Sequence, residues 1–407
     1  MAPGFCPGIV PLLLLYMETT FMKQASPATQ DPSVEVREVM SPADLKIFIS
    51  VPWSVYKDDP NWVPPLKIER KEALSDKNPW FGHARWKAWV AWRDGTPVGR
   101  ISAQIDDLYL ERHDAQTGFF GLIESPDDAA VFEALFATAE NWLREQGMNT
   151  VIGPFNLGVN QEIGLLVDGF DSPPYIMMGH AALYHGNRVE ALGYSKAVDT
   201  LAYEITKAEF ELPESIQRLL ARLSGKISVR QVDRKKTPVE LETMRDIFND
   251  AWSRNWGFVP FTEDEFAAVG KELFMIVPPD FTWIAEVEGK PSAFIVLLPN
   301  LNEAIADLDG RLFPLGWLKL LWRLKVRSPA SGRIALMGVR QEYQNTRLGP
   351  ALAFLSIQAL HEPATRRGLE KVEMSWILEQ NQGMRTILDR IGARVSKRYR
   401  MYRKSLK

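Results

Sequence analysis

The sequence predicts a mixed α+β architecture that is built twice, from two units of about 200 residues each. Three short patterns occur in the first part of the chain and return, in the same order, in the second part. The strongest is W-[VI]-A-x-x-[DE]-G-x-P-x-[GA]-x-I, which predicts a strand, a tight turn and a second strand. Chance similarity between two ordinary hairpins is the alternative interpretation. The matched pairs are residues 89–101 with 283–295, 53–64 with 252–260, and 193–203 with 392–402.

A connecting segment separates the two units. Leucine and isoleucine recur at helical spacing over 212–224, which predicts an amphipathic helix. At the start of the chain, a short apolar run contains Pro11 and has no preceding Lys or Arg, so a secretion signal is not expected. The expected parts are a disordered lead over 1–33, a first unit over 34–205, a helical connector over 206–227 and a second unit over 228–407.

Within each unit the predicted order is a helical segment, a hairpin, a helix, a strand, a helix and a last strand. Val131, Leu135, Ala139 and Trp142 share one helical face and predict a helix over 129–146. The other predicted elements are a strand over 150–155, a strand over 333–339, a helix over 350–361, a strand over 371–376, a helix over 381–391 and a last strand through 399 and 402.

Composition excludes several classes of function. The 48 Lys and Arg against 51 Asp and Glu give a net charge of -3, which argues against a globally cationic nucleic-acid binder. Cys6 is the single cysteine, so no intrachain disulfide can form. The five histidines are scattered, and we expect no bound metal. Since no apolar run reaches the ~20 residues that cross a bilayer, we expect a cytoplasmic protein.

The richest chemical signal lies in the second unit, over 334–352. A strand is predicted to end at Val339, and after a polar loop a helix opens at Gly349-Pro350. A helix start presents unpaired N–H groups and a partial positive charge, so it can hold a pyrophosphate. Arg340 and Arg347 add cationic charge nearby. The alternative is an ordinary helix start with two solvated arginines.

This stretch resembles the pyrophosphate loop of the GNAT superfamily of acyl-CoA-dependent N-acyltransferases, Q/R-x-x-G-x-G/A. It matches Gln344-x-x-Arg347-x-Gly349, with Arg347 where the first glycine is usual. Downstream, residues 381–393 match the family's strand, Asn, helix and Gly pattern. Leu388 stands where many members have a tyrosine that protonates the leaving thiolate.

The resemblance implies two tandem GNAT-like domains, each a mixed, mostly antiparallel sheet flanked by helices. It covers 228–407 and extends, in degenerate form and without a pyrophosphate loop, over the first unit. It further implies acyl-CoA as a co-substrate, with no tightly bound cofactor. The residues expected to bind acyl-CoA are Gly338, Val339, Arg340, Gln344, Arg347, Gly349, Ala351 and Asn381.

The mechanism that the resemblance implies is direct transfer. A neutral amine attacks the thioester carbonyl, backbone N–H groups after Met337 hold the carbonyl oxygen, and a base takes the amine proton. Glu373 is a candidate base, although a solvated charge on an edge strand explains it as well. Tyr399 and Tyr402 are candidate acids in place of the absent tyrosine, and both also fit core aromatics of a last strand. Glu162, in a polar run of the first unit, is a further catalytic candidate, or part of a structural turn.

The first unit and a basic helix supply the candidates for substrate binding. The polar run 156–162 follows a predicted strand and suits an interdomain site. Lys319, Arg323 and Arg327 would share one face of a helix over 315–327, with Trp and Leu mostly opposite, a pattern typical of membrane surfaces or acyl-chain grooves. The alternative for the histidine is a hydrogen-bonded core residue. The alternative for the basic helix is a helix packed on the core with a solvated rim. The candidate residues are Asn156, Asn160, His180, Tyr184 and Trp317.

The favoured hypothesis is therefore an N-acyltransferase that joins a long-chain acyl group to a lipid-like amine, without nucleic acid and with peripheral membrane contact through 315–327. The chain also resembles bacterial ceramide synthases, GNAT-like proteins of about this size, which acylate a sphingoid base. Three alternatives stay open: a small-molecule or protein N-acetyltransferase, a Fem-type aminoacyl transferase, and a GNAT-like binding module without catalysis.

Overall fold

Apart from three short extra strands in the first half, strands and helices follow each other in a similar order in the two halves of the chain. The computed structural model describes residues 33–223, 225–326 and 328–407, so the expected lead over 1–33 lies, apart from Ser33, outside the described residues. The elements of the first half are β1 Glu35–Glu38, α1 Pro42–Ser50, α2 Pro52–Val55, α3 Lys67–Ala73, β2 Ala84–Arg93, β3 Thr96–Asp106, α4 Asp107–Arg112, β4 Thr117–Glu124, α5 Ala129–Glu145, β5 Thr150–Gly153, β6 Phe155–Asn156, β7 Glu162–Ile163, β8 Leu165–Asp168, α6 His185–Ala191 and β9 Ser195–Thr206.

The second half begins after a connecting helix, which lies where the sequence predicts it. Its residues Ile216 and Leu220 are buried in the core of the second half. The remaining elements are the connector α7 Glu214–Leu223, then β10 Ile227–Gln231, α8 Thr237–Trp252, α9 Glu263–Ile276, β11 Thr282–Val287, β12 Lys290–Pro299, α10 Asn302–Ile305, α11 Gly316–Val326, β13 Ser331–Val339, α12 Gln341–Gln344, α13 Leu348–Arg366, β14 Lys371–Leu378, α14 Gln382–Arg390 and β15 Arg394–Ser405.

The repeated hairpins have the same turn. Asp94 and Gly95 join β2 to β3 with φ values of 49° and 73°, and Glu288 and Gly289 join β11 to β12 with φ values of 51° and 82°. Two successive residues at positive φ match the right-handed twist of paired strands. Both turns therefore use an acidic residue followed by glycine for the same geometric reason, as the sequence predicts.

One mixed sheet runs through both halves, and the halves exchange their last strands. The strand order is β1-β2-β3-β4-β5-β15-β9-β14-β13-β12-β11-β10. β15, the last strand of the second half, pairs with β5 of the first half, and β9 pairs with β14 of the second half. β9 and β15 also pair with each other. The unit limits 34–205 and 228–407 thus follow chain order, whereas each half of the sheet is completed by the other half.

Helices cover both faces of the second half of the sheet. Val296 faces a pocket formed with α8 and α9, whereas Leu297, the next residue of β12, faces α13. Neighbouring strand residues point to opposite faces, so α8 and α9 lie on one side and α13 on the other. Tyr399 and Tyr402 of β15 are fully buried in the core of the first half.

Candidate active site

The parallel strands β13 and β14 separate part-way along their length. They pair only from Ser331–Ile334 against Lys371–Met374. Beyond that point β13 continues along β12 to Val339, and β14 continues along β9 to Leu378. A V-shaped opening between two strands leaves main-chain N–H and C=O groups on facing edges. One of these, the carbonyl of Met337, accepts a hydrogen bond of 3.1 Å from the indole of Trp252.

The loop after β13 is held by its own side chains. Gln344 donates to the carbonyl oxygens of Val339 at 2.8 Å and Ala251 at 3.0 Å. Arg340 is engaged by Asp246 and by a main-chain carbonyl. Arg347 is exposed, and within the described residues no hydrogen bond or ion pair engages it. Of the two predicted cations, Arg347 alone is therefore open to an anion near the start of α13, where the first N–H groups lack helical partners.

Four predicted donor-site residues fill structural positions. A Cβ on Gly349 would lie 2.6 Å from the carbonyl oxygen of Tyr343, so the fold of the loop itself requires glycine there. Ala351 is fully buried in the core. Asn381 accepts a hydrogen bond of 3.1 Å from the N–H of Met384 and caps α14. Gly338 similarly packs against a core phenylalanine of β12.

A largely apolar pocket lies between the opening strands and the helices α8 and α9, and its empty space of about 640 Å³ includes open solvent at its mouth. The first half of the chain contributes Asn160 and Met177 to its wall. Arg333 is the charged residue among those that line it. The strands and helices supply the remaining lining residues, which are Leu241, Met244, Phe261, Phe266, Val269, Gly270, Leu273, Phe274, Val296, Ala335, Leu336 and Trp376.

A buried polar group lies behind Arg333. Its Nε donates to Ser375 Oγ at 2.8 Å and lies 3.8 Å from Glu373 Oε1, while Nη1 donates to the carbonyl of Ile176 in the first half at 3.1 Å. Ser375 Oγ in turn donates to Glu373 Oε1 at 2.7 Å. Glu373 is fully buried. It is therefore no solvated charge on an edge strand, and that interpretation of the sequence is wrong.

Two oxygen atoms in this group have no hydrogen-bond partner within the described residues. They are Oε2 of Glu373 and the phenolic oxygen of Tyr399, and both side chains are fully buried. Burial raises the pKa of Glu373 to about 7 against the opposing charge of Arg333. Burial and the neighbouring Glu373 raise the pKa of Tyr399 well above its usual range. The site thus holds a buried carboxyl with a pKa near neutrality and a buried phenol that stays protonated, and the two groups interact electrostatically.

The corresponding opening in the first half is filled by the chain itself. β4 and β5 pair in parallel over Thr117–Phe119 and Thr150–Ile152 and then diverge. Gln104 donates to the carbonyls of Phe155 and Leu157, and a Cβ on Gly121 would lie 2.7 Å from the carbonyl carbon of Phe155. The degenerate character of the first unit stays a prediction.

Glu162 lies near enough to Arg333 and Tyr399 to influence the pKa of both, but its direct contacts are with residues of the first half. Glu162 pairs with Arg70 at 3.1 Å, and the Nδ2 of Asn156 donates to Glu162 at 3.2 Å. Burial alone would raise the pKa of Glu162, but these contacts hold it below its ordinary value. The remaining contacts are those of His180 with Asp59 at 2.8 Å, Tyr184 with the Ser125 carbonyl at 2.8 Å, and Tyr402 with Glu190 at 3.0 Å.

The predicted basic helix corresponds to α11, and its apolar residues face solvent. Lys319 and Arg323 turn toward Asp307, at 3.8 Å and 2.8 Å, whereas Arg327 lies outside the described residues. No helix in the described part of the chain is long and apolar enough to span a membrane. The exposed apolar residues, here called the α11 patch, are Phe313 at 72%, Leu315, Trp317, Leu318, Leu321 and Trp322 at 54% exposure.

Sequence reasoning missed Arg333, Ser375 and Trp376. The signal for Arg333 was present, since an arginine interrupts the apolar strand 331–339. A charge in such a strand needs a buried partner, which points to Glu373 on the neighbouring predicted strand. The described residues contain no cluster of His, Cys, Asp and Glu that could hold a metal ion.

Known proteins resemble the chain in sequence and in fold. Protein YghO of Escherichia coli (strain K12) is 51% identical over 371 residues, which cover 91% of this chain and 95% of that protein. A protein of Caulobacter vibrioides (strain NA1000 / CB15N) named bacterial ceramide synthase is 45% identical over 376 residues, covering 92% and 98%. A solved tandem GNAT protein from the clavulanic acid biosynthesis pathway aligns with a TM-score of 0.53 at 12% identity, over 92% of this chain and 99% of that one. No protein-family profile matches the chain. The predicted fold class, two tandem GNAT-like units of α+β type, is confirmed.

Proposed function

The chain belongs to the family of Protein YghO and the bacterial ceramide synthase of Caulobacter vibrioides, and we propose that it is an acyl-CoA-dependent N-acyltransferase. The acyl group in this proposal is a long fatty chain, and the acceptor is the amine of a lipid-like molecule such as a sphingoid base. One observation carries the proposal: in the second half, the opening between the separated strands faces an apolar pocket, and a buried carboxyl lies behind the arginine that lines it.

The buried group suits the two proton transfers of amide formation. The amine nitrogen attacks the thioester carbonyl carbon, the N–C bond forms and the C–S bond breaks. Oε2 of Glu373 accepts the proton that the nitrogen loses, since its pKa of about 7 is matched to that task. The phenol of Tyr399 donates a proton to the departing thiolate and recovers one from Glu373. Arg333 orients Glu373 through Ser375 and supports its ionised form.

The donor's pyrophosphate is assigned in this proposal to the loop before α13. Arg347 is exposed there and has no hydrogen-bond or ion-pair partner among the described residues, and the helix start adds a partial positive charge. The pantetheine arm would then lie along the open edges of β13 and β14, with the thioester beside Trp376.

Peripheral membrane contact through the α11 patch is the second part of the proposal. β13 runs from Ser331 to Val339, so the α11 insertion precedes one end of this strand and the pyrophosphate loop follows the other, about 26 Å away. A CoA ester could approach from water at the loop while a lipid amine enters from the bilayer side. Six exposed apolar side chains lie within ten residues of the chain, and exposed apolar patches of this kind mark membrane or protein interaction sites.

Product analysis tests the enzymatic part. The purified chain is incubated with acetyl-CoA or palmitoyl-CoA and either a sphingoid base or a small polyamine, and mass spectrometry identifies any amide. We expect the palmitoyl amide of the sphingoid base. Acetylation alone would indicate a small-molecule or protein N-acetyltransferase. If no CoA ester stabilises the protein in a thermal-shift titration, the result favours the aminoacyl transferase or the non-catalytic binding module over the proposed N-acyltransferase.

Cosedimentation with phosphatidylglycerol-containing vesicles tests the membrane part. Trp317→Ser with Trp322→Ser should lower the bound fraction severalfold at unchanged melting temperature. Met275→Ser is the matched control, because Met275 is also exposed and apolar but lies on α9. Equal binding by the double variant and the wild type would exclude the α11 patch as the contact.

A further inference from the structure

A glycine lies in the middle of α9, where it weakens the helix relative to alanine. A Cβ on Gly270 would lie 2.9 Å from Cδ1 of Leu241 in α8 and closer still to Cδ2. The absence of a side chain therefore lets the two helices approach each other through Leu241. Gly270 and Leu241 both line the apolar pocket.

Leu241 is held between Gly270 and the pocket. Its side chain is buried, so it has little room to move toward solvent. Any side chain added at Gly270 must push the leucine methyl groups toward the empty space of the pocket. Conversely, shortening Leu241 would extend that space toward α9, because Gly270 contributes no atoms to fill it.

The two ends of the pocket differ in polarity. Arg333 and Trp376 lie on the opening strands, beside the buried carboxyl, whereas Leu273 and Phe274 line it from α9. An amphiphile whose reacting polar group lies at the strands would therefore extend its hydrocarbon tail toward the Gly270–Leu241 contact. Close apolar lining of this kind recognises a chain by its length, since every methylene that is buried adds binding energy.

We propose that this pocket binds the hydrocarbon chain of a substrate and that Gly270 and Leu241 determine the chain length it accepts. The inference rests on the proposed N-acyltransferase function and deepens it. A straight hydrocarbon chain could belong to the acyl donor or to the amine acceptor, and the two sources share the same chemistry here.

The test measures kcat/KM in two series: saturated acyl-CoAs from octanoyl to eicosanoyl with one amine, and straight-chain amines of increasing length with one acyl-CoA. Gly270→Val should shift the optimum of one series to shorter chains and Leu241→Ala should shift it to longer ones. Each methylene that no longer fits should lower kcat/KM about fourfold, which corresponds to about 0.8 kcal/mol. Gly270→Ala, a smaller change, serves if the valine variant does not fold.

Leu135→Ala is the control, because Leu135 is equally buried but lies in α5 of the first half. A shift in the acyl-CoA series assigns the pocket to the donor chain, and a shift in the amine series assigns it to the acceptor. Leu135→Ala should lower kcat/KM by the same factor for all chain lengths. If the Gly270 and Leu241 variants do the same, the inference is overturned.

Absence of turnover by the wild type would count against the proposed function alone. In that case the same proteins are compared by thermal shift with the same acyl-CoAs and amines. Opposite shifts in the chain length that stabilises best would still support the pocket assignment, and identical length profiles would overturn it.

Discussion

Replacing Glu373 by Gln should change the pH dependence of both stability and activity. The variant keeps the size of the side chain and an oxygen that can accept from Ser375, but it cannot titrate. In the folded wild type, burial raises the pKa of Glu373 from 4.5 to about 7. Between these pH values the folded protein retains a proton that the unfolded chain has lost, so wild-type stability falls as the pH rises.

The size of this effect follows from the shift in pKa. A difference of about 2.5 pH units corresponds to about 3 kcal/mol of unfolding free energy. The Gln variant lacks this decline, and at acid pH the protonated Glu373 of the wild type also leaves Arg333 without a counter-charge. We therefore expect the stability of Glu373→Gln, relative to wild type, to increase by about 3 kcal/mol between acid pH and neutrality. Urea unfolding followed by tryptophan fluorescence, at a series of pH values, measures this difference.

Activity gives a second, separate readout. Wild-type kcat/KM should rise as Glu373 loses its proton near pH 7, and the variant should lose that inflection together with a factor of about 10²–10⁴ in rate. Glu379→Gln is the control, since Glu379 is a part-exposed carboxylate held by Lys196 at 2.7 Å. Parallel stability curves for wild type and Glu373→Gln would refute the raised pKa. An inflection that survives in the variant would refute the role as base.

Three further predictions concern the donor loop, the contact between the halves and the filled opening. Arg347→Glu should raise KM for acyl-CoA roughly tenfold at unchanged melting temperature, since charge-assisted contacts to phosphate are strong; an unchanged KM would remove Arg347 from the donor site. His83 lies between Asp106 at 3.1 Å and Glu265 at 3.3 Å. Burial alone would lower the pKa of His83, but the two carboxylates raise it from 6.5 to about 10. Its stabilisation is complete below pH 6.5 and is lost as the pH rises through about 10, so the stability difference between wild type and His83→Gln should shrink over that range in urea unfolding. Gly121→Ala should lower the unfolding free energy by about 1–3 kcal/mol, because the methyl group meets main chain in the filled opening; a neutral result in thermal unfolding would mean that this opening is loosely packed.

The sequence predicted local structure well where a periodic pattern or a turn fixed it. The two hairpins form with acidic-glycine turns, and the helix expected over 129–146 runs from Ala129 to Glu145. The strand expected over 150–155 is interrupted instead, because Pro154 offers no N–H and separates β5 from β6. Local patterns therefore located the elements, while their ends depended on single residues.

Long-range pairing could not be read in the same way. β9 and β15 are each 12 residues long and both carry buried residues along their middle, so their sequences fit either half of the sheet. The exchange depends on which edge each strand meets, and hydrophobic periodicity contains no information about that choice. The same holds for Tyr399, which belongs to the second half by sequence but is buried in the core of the first.

The strand exchange gives a physical reason for a duplicated chain with one open site. Because each half completes the sheet of the other, the first half remains necessary for folding even when its own opening is filled by Phe155 and Leu157. It also contributes directly to the second half's site, since the carbonyl of Ile176 accepts from Arg333 and Met177 lines the pocket. A chain reduced to residues 228–407 would lack both β9, against which β14 pairs, and this contact to Arg333. We therefore expect the isolated second half to be unfolded or inactive, and a folded, fully active fragment would contradict the view that the two halves form one catalytic unit.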